Sequence, residues 1–313
     1  MASAVIDPRI SPVEEVIVFT DASQWKQAWQ RLKRHRLGMM GLFLLVLIFG
    51  LGYLAPLIAP YSPTDIDLLE QWGPPTFAHP LGSDELGRDI LSRLLYASRV
   101  TLSVSLVATV LATLIGVPLG ALAGYWRGWF ETVVMRAADV MLALPTLLLL
   151  LVFSRMLREM SGIKTLFGAE NVSIVVMVAI LTLFGWMNVC RLVHGAVLQL
   201  RERDFVEATR ALGASSSRIL LRHLIPNVIA PIIVAATLGF GGRIILESTL
   251  SFLGLGISPP YPSLGNMLSE AQGYMLRNPW LAMYPGIIIF LTVLAINFLG
   301  DALRDALDPR SRG

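Results

Sequence analysis

Two stretches of this sequence place charged side chains where they could act on something other than water. In IAPIIVAATLGFGGRIILEST (229–249), Arg243 and Glu247 stand four residues apart in a run otherwise free of charge. On a helix that spacing puts both on one face, and each would cost roughly 2.5–3.5 kcal/mol at the centre of a bilayer. Two readings follow: a structural ion pair, or groups facing an aqueous pathway. The second stretch, DFVEATRALGASSSRILLRHLIPN (204–227), mixes acids, bases, three consecutive serines and a glycine between two apolar runs. Its small residues beside a glutamate suit insertion into a protein cleft, so it is a docking surface and not a reaction centre.

No catalytic or metal-binding set accompanies them. Cys190 is the single cysteine, which excludes an internal disulfide, and the four histidines lack metal-ligand spacing. GxxxxGK[ST], HExxH and GxSxG do not occur, so neither P-loop ATP binding nor enzymatic activity is expected, and no cofactor is implied. The basic pI of 9.2 invites a nucleic-acid reading. Only three of the 25 basic residues are lysines, however, and they flank apolar runs, so membrane orientation explains them and nucleic acid does not.

The elements that must position these residues are membrane spans. The chain of 313 residues is 55% hydrophobic and 15% charged, against about 25% charge in soluble domains. Apolar runs at 38–58, 100–124, 140–154, 172–190, 224–242 and 281–300 predict an all-α protein with six transmembrane helices. Crossing ~30 Å of hydrocarbon takes about 20 helical residues. The run at 140–154 is short, and snorkelling of Arg155 and Arg158 would extend it. The run at 38–58 has no cleavage site of signal-peptide type and is read as a retained anchor. Pro118, Pro145 and Pro231 are expected to kink their spans or free backbone carbonyls. Gly116, Gly120 and Gly124 make a GxxxGxxxG face for close helix packing, within the subunit or against a partner.

With both termini inside, seventeen of the 25 basic side chains face the cytoplasm, as the positive-inside rule requires. The 59–97 and 248–280 segments then lie outside. In the first, Ser83 is expected to cap an amphipathic lead-in helix; in the second, SFLGLGISPPYPSLGNM has too much Gly and Pro for regular structure. The 194–225 loop lies inside. Asp204 and Glu207 have capping-box spacing, Gly213 suits a left-handed stop, a serine among 215–217 is placed to cap a second helix, and Pro226 suits the first turn of the fifth span. The expectation is two short helices with a sharp bend.

This stretch resembles the EAA loop of ABC importer permeases, E-A-A-x3-G-x9-I-x-L-P. Glu207, Ala208, Gly213 and Pro226 match; Thr209, His223 and Ile225 depart from the pattern. HPLGSDELGRDILSRLLYASR (79–99), ALAGYWRGWFETVVMRAADVMLALP (121–145), LSFLGLGISPPYPSLGNML (250–268) and NFLGDALRDALDPR (297–310) resemble the C-type permease subunit of dipeptide, oligopeptide and nickel importers. Leu264 replaces a usual tryptophan and His194 a usual arginine. The resemblance implies a type I ABC importer permease fold in the cell membrane, a homologous B-type permease partner, two cytoplasmic ATPase subunits and a solute-binding protein. It implies coupling contacts at Glu207, Ala208, Ala211 and Gly213, and import of peptides or, alternatively, nickel complexes. An ATP-independent channel or a membrane enzyme are the readings from other classes. The expected organisation is a cytoplasmic tail (1–37), an anchor (38–58), an external loop (59–97), a transport domain (98–304) and a cytoplasmic tail (305–313).

Overall fold

A computed structural model describes residues 21–307. The elements are α1 (Asp21–Arg34), α2 (Arg36–Tyr53), α3 (Ala55–Ile58), α4 (Ile90–Trp126), α5 (Gly128–Ala143), α6 (Thr146–Glu159), α7 (Ser161–Phe167), α8 (Val172–Leu183), α9 (Trp186–Arg201), α10 (Asp204–Ala211), α11 (Ser216–Ile219), α12 (Ile225–Phe252), α13 (Leu264–Gln272) and α14 (Trp280–Leu307). No strand occurs among the described residues. Among the described residues, five helical units are long and apolar enough to cross a membrane: α2, α4, the α8–α9 unit Val172–Arg201, the α11–α12 unit Ser216–Phe252, and α14.

The expected third span departs from a single helix. α5 and α6 meet at 95° and make a sixth span only if counted together. Pro145 is the cause: it has no N–H, and it forces Leu144 into an extended conformation (φ −86°, ψ 146°). Pro118 and Pro231, by contrast, sit inside continuous helices, each forgoing one backbone bond. Arg158, at the end of α6, makes specific contacts. It turns onto the segment after α12, donating to the Leu255 carbonyl at 3.0 Å and to Ser258 Oγ at 2.7 Å.

Close backbone packing joins α4 to α9. A Cβ on Gly116, Gly120 or Gly124 would lie 2.6, 2.3 and 2.8 Å from the carbonyl oxygens of Trp186, Cys190 and His194. The three glycines therefore serve a contact inside this subunit, where helix axes approach too closely for any side chain. α1 and α2 pack on α14, with Leu32 buried against Ala302 and Ala306. The chain before the first span is thus helical from Asp21, and α14 continues to Leu307, so neither expected tail is a plain tail within the described residues.

The 59–89 segment has no lead-in helix capped by Ser83. Asp89 caps α4 instead, accepting from Ser92 N–H at 2.7 Å, while Ser83 donates to the Glu70 carbonyl. The 248–280 segment contains α13, started by a capping box between Ser263 and Asn266, so it is more ordered than its Gly and Pro content suggests. A clasp of ion pairs joins the two segments: Arg88 and Arg93 each bind Asp84, and both reach Glu270 on α13, at 3.1 and 2.7 Å.

Burial raises the Glu85 carboxyl above its ordinary value of 4.5, with Asp84 and Glu270 adding to the shift and a backbone hydrogen bond and Arg88 opposing it. The folded state thus holds this proton more tightly than the unfolded chain, and stability falls as pH rises from 4.5 through the raised value. Glu85→Gln should therefore raise the unfolding temperature of the solubilised protein at about pH 7 and leave it unchanged at about pH 4. Gly120→Ala should destabilise by about 1–3 kcal/mol. Gly195→Ala, where nothing lies within 4 Å of the added methyl, should leave the melting temperature unchanged or slightly higher.

Candidate functional site

The polar stretch folds as a helix–bend–helix at the start of α12. α10 begins at Asp204, with Arg203 at the N-cap and no side-chain cap. The expected capping box is absent because Asp204 is already helical. Asp204 and Glu207 instead lie in the first turn, where they oppose the positive end of the helix dipole. The helix ends in a Schellman motif: Gly213 N–H bonds the Arg210 carbonyl at 3.0 Å and Ala214 N–H the Thr209 carbonyl at 3.3 Å. Gly213 has φ +81°, which explains a glycine at this position. Ser215 occupies the next N-cap, but its hydroxyl meets Ser217 Oγ at 3.3 Å and caps no N–H.

One face of this unit is locked to the bundle and the other is open. Val206 is fully buried, and it packs with Ile219, Leu220 and Leu224 against Ala121, Tyr125 and Val197. Arg201 ties the end of α9 to the Tyr125 carbonyl at 2.8 Å. Glu207, Ala208, Ala211 and Gly213 are all exposed, and so are the apolar Phe205 and Leu212, the latter 89% so. Phe205, Ala208 and Leu212 therefore lie on the outward face, and Val206 holds the inward one.

The second limb is one helix with the span that follows. A π-helical turn over Leu220–Leu224 links α11 to α12, with Ile225 N–H bonded to the Leu220 carbonyl. Pro226, at the first turn of α12, brings no N–H to this junction. Backbone pairing is thus carried from Ser216 to Phe252.

Further along α12, Arg243 and Glu247 do not pair. The Arg243 side chain leans toward the helix N-terminus, so its guanidinium lies beside Gly239 and donates to the Gly185 carbonyl at 3.0 Å. Glu247 points into a polar knot, where Ser251 Oγ donates to it at 2.7 Å and the Thr101 and Ser263 hydroxyls also face it. Thr101 in turn accepts from Leu264 N–H at 3.1 Å. Glu247 therefore joins α12, α4 and the start of α13, while Arg243 lines a separate cavity with Asn188 and Gly242. Sequence spacing pointed to neither Gly185 nor the hydroxyl partners, although the glycines around Arg243 mark the room its head group takes.

Residues 116–313 match the family of binding-protein-dependent transport system inner membrane components, and residues 23–77 match the N-terminal transmembrane domain of oligopeptide transport permease C. The chain belongs to this permease family. The permease is 36% identical over 306 residues to the dipeptide transport system permease protein DppC of Alkalihalophilus pseudofirmus, covering 98% of this chain and 96% of that one. It is 39% identical over 290 residues to the glutathione transport system permease protein GsiD of Pectobacterium atrosepticum, covering 91% of each. Its fold matches a chain of the inward-facing MetNI methionine ABC transporter with a TM-score of 0.55 at 21% identity, over 69% of the permease and 96% of that chain.

Gly213→Val puts a β-branched residue at φ +81°, at a cost of about 1–2 kcal/mol. Limited proteolysis of the solubilised permease should cut at the bend several times faster than in the parent, with the melting temperature of the bundle little changed.

Proposed function

We propose that this permease is one membrane subunit of an ATP-driven importer that carries peptides, or a related small solute, across the cytoplasmic membrane. Two homologous subunits, this one and a B-type relative, enclose the pathway. ATP is hydrolysed on two separate cytoplasmic ATPase subunits, and an external solute-binding protein delivers the cargo. Both termini and the 204–224 unit face the cytoplasm, as the distribution of basic residues supports. The names of the relatives favour a peptide cargo over a nickel complex.

The observation that carries this reading is the exposed face of α10 on a unit continuous with a span. Phe205 and Leu212 lie exposed on this unit together with small residues, an arrangement suited to being covered by a protein partner. A cleft in an ATPase subunit would cover them, with Glu207, Ala208, Ala211 and Gly213 at the contact. ATP-driven closure of the ATPase pair pushes this face, and the Val206 anchor and the continuous Ser216–Phe252 helix carry the push into the membrane. A passive channel would leave the unit without a role, and a membrane enzyme would need a reactive cluster between spans.

Leu212→Asp tests the contact. The variant should fold and insert normally, because the side chain is 89% exposed, while the ATPase subunits retained on purification fall about tenfold. Full retention together with undiminished uptake, in this variant and in Gly213→Pro, would sink the coupling role.

A further inference from the structure

The peptide-importer reading leaves one charged group without an assignment. Arg243, in the C-terminal half of α12, is 7% exposed, and among the described residues no carboxylate lies within ion-pairing distance of it. Its Nε has no hydrogen-bond partner among the described residues, and the one bond of its guanidinium runs from Nη2 to the Gly185 carbonyl. An arginine has five N–H donors and keeps its charge in proteins. Such a group buried in a membrane protein faces a cavity, a partner of opposite charge or backbone carbonyls, and here one carbonyl takes only one of its donors.

The surroundings are shaped around that head group. A Cβ on Gly185 would come within 2.4 Å of Nη2, and one on Gly239 within 2.8 Å of Nη1. Both glycines therefore leave space that the guanidinium occupies, one across the bundle and one a turn earlier on its own helix. The Gly185 carbonyl lies at the break between α8 and α9, and its bond holds the guanidinium in place. The result is a cation positioned at the wall of a cavity of about 290 Å³, with Asn188 as a second polar group and Phe184, Leu192 and Leu246 as apolar walls.

We propose that Arg243 is a carboxylate-binding site on the translocation pathway, engaged in passing by the terminal carboxylate of the transported peptide. Arginine presents a planar fork that matches a carboxylate, and a free amino-acid or peptide cargo carries that group whatever its side chains. Asn188 offers a hydrogen-bonding group of either polarity for a neighbouring amide. The apolar walls accept varied side chains without selecting among them. The proposal rests on the importer reading and adds the chemistry of one step to it.

The test uses the complete transporter in proteoliposomes, with its ATPase subunits, partner permease and a saturating solute-binding protein carrying radiolabelled dialanine. Arg243→Met should keep stimulated ATP hydrolysis within about twofold of the parent, yet deliver about tenfold less dialanine per ATP. Arg243→Lys, which retains the charge, should fall between the two. Unchanged delivery per ATP in Arg243→Met overturns the site and leaves the importer reading intact. If Arg243→Met and Arg243→Gln both lose assembly or ATP hydrolysis, the guanidinium is only a structural tie to Gly185, and the site is again overturned. A parent complex that hydrolyses ATP but delivers no dialanine defeats the peptide reading itself, and the carboxylate cargo with it.

Discussion

Inside a bilayer a helix has no solvent to fall back on, so its backbone bonds have to run unbroken from one interface to the other. In this permease that requirement falls most heavily on the helix from Ser216 to Phe252. Its first turns form the inner limb of the exposed unit, and its last third carries Arg243 and, one turn further on, Glu247. Three departures from apolar packing thus lie along one rod. At 1.5 Å rise per residue, a helix of this length reaches roughly 55 Å, beyond the hydrocarbon at one end or both. The exposed unit is attached to the membrane domain by helix and not by a flexible linker.

Packing around that rod explains how its two ends are held. At the near end, Val206, Ile219, Leu220 and Leu224 bury the inner faces of both short helices against α4 and α9, which are themselves joined through glycines at backbone contact. At the far end, Glu247 collects hydroxyls from its own helix, α4 and the entry to α13. The clasp of Arg88 and Arg93 on Glu270 then ties α13 back to the segment before α4. A displacement of the near end thus has a direct structural route to the far end. The π-helical turn at Leu220–Leu224 lies on that route, a short distortion in an otherwise regular ladder.

Much of this was legible in the residues. Long apolar runs announce spans because no other segment can cross hydrocarbon, and Gly213 announced its bend because left-handed backbone is costly for other residues. The Gly116, Gly120 and Gly124 face was visible, although not which helix it would meet. What escaped depends on competition between partners. Asp89 took the cap expected of Ser83, whose hydroxyl had gone to Glu70. Arg243 and Glu247 shared a face by spacing, yet the arginine precedes the acid, an order that suits pairing poorly on a helix. The arginine found its partner across the bundle at Gly185, which no spacing rule along one helix reports, and the acid took hydroxyls both from Ser251 one turn on and from neighbouring elements. Pro145 signalled a kink, but a bend of 95° followed from the extended Leu144 before it.

The central claim is that force from the exposed unit enters the membrane through unbroken helix. The most direct measurement is to insert two glycines between Leu220 and Leu221 and compare ATP hydrolysis with solute delivery in the assembled transporter. The account predicts that the ATPase subunits still bind and hydrolyse ATP, while delivery per ATP collapses. Delivery per ATP at the parent level would contradict it.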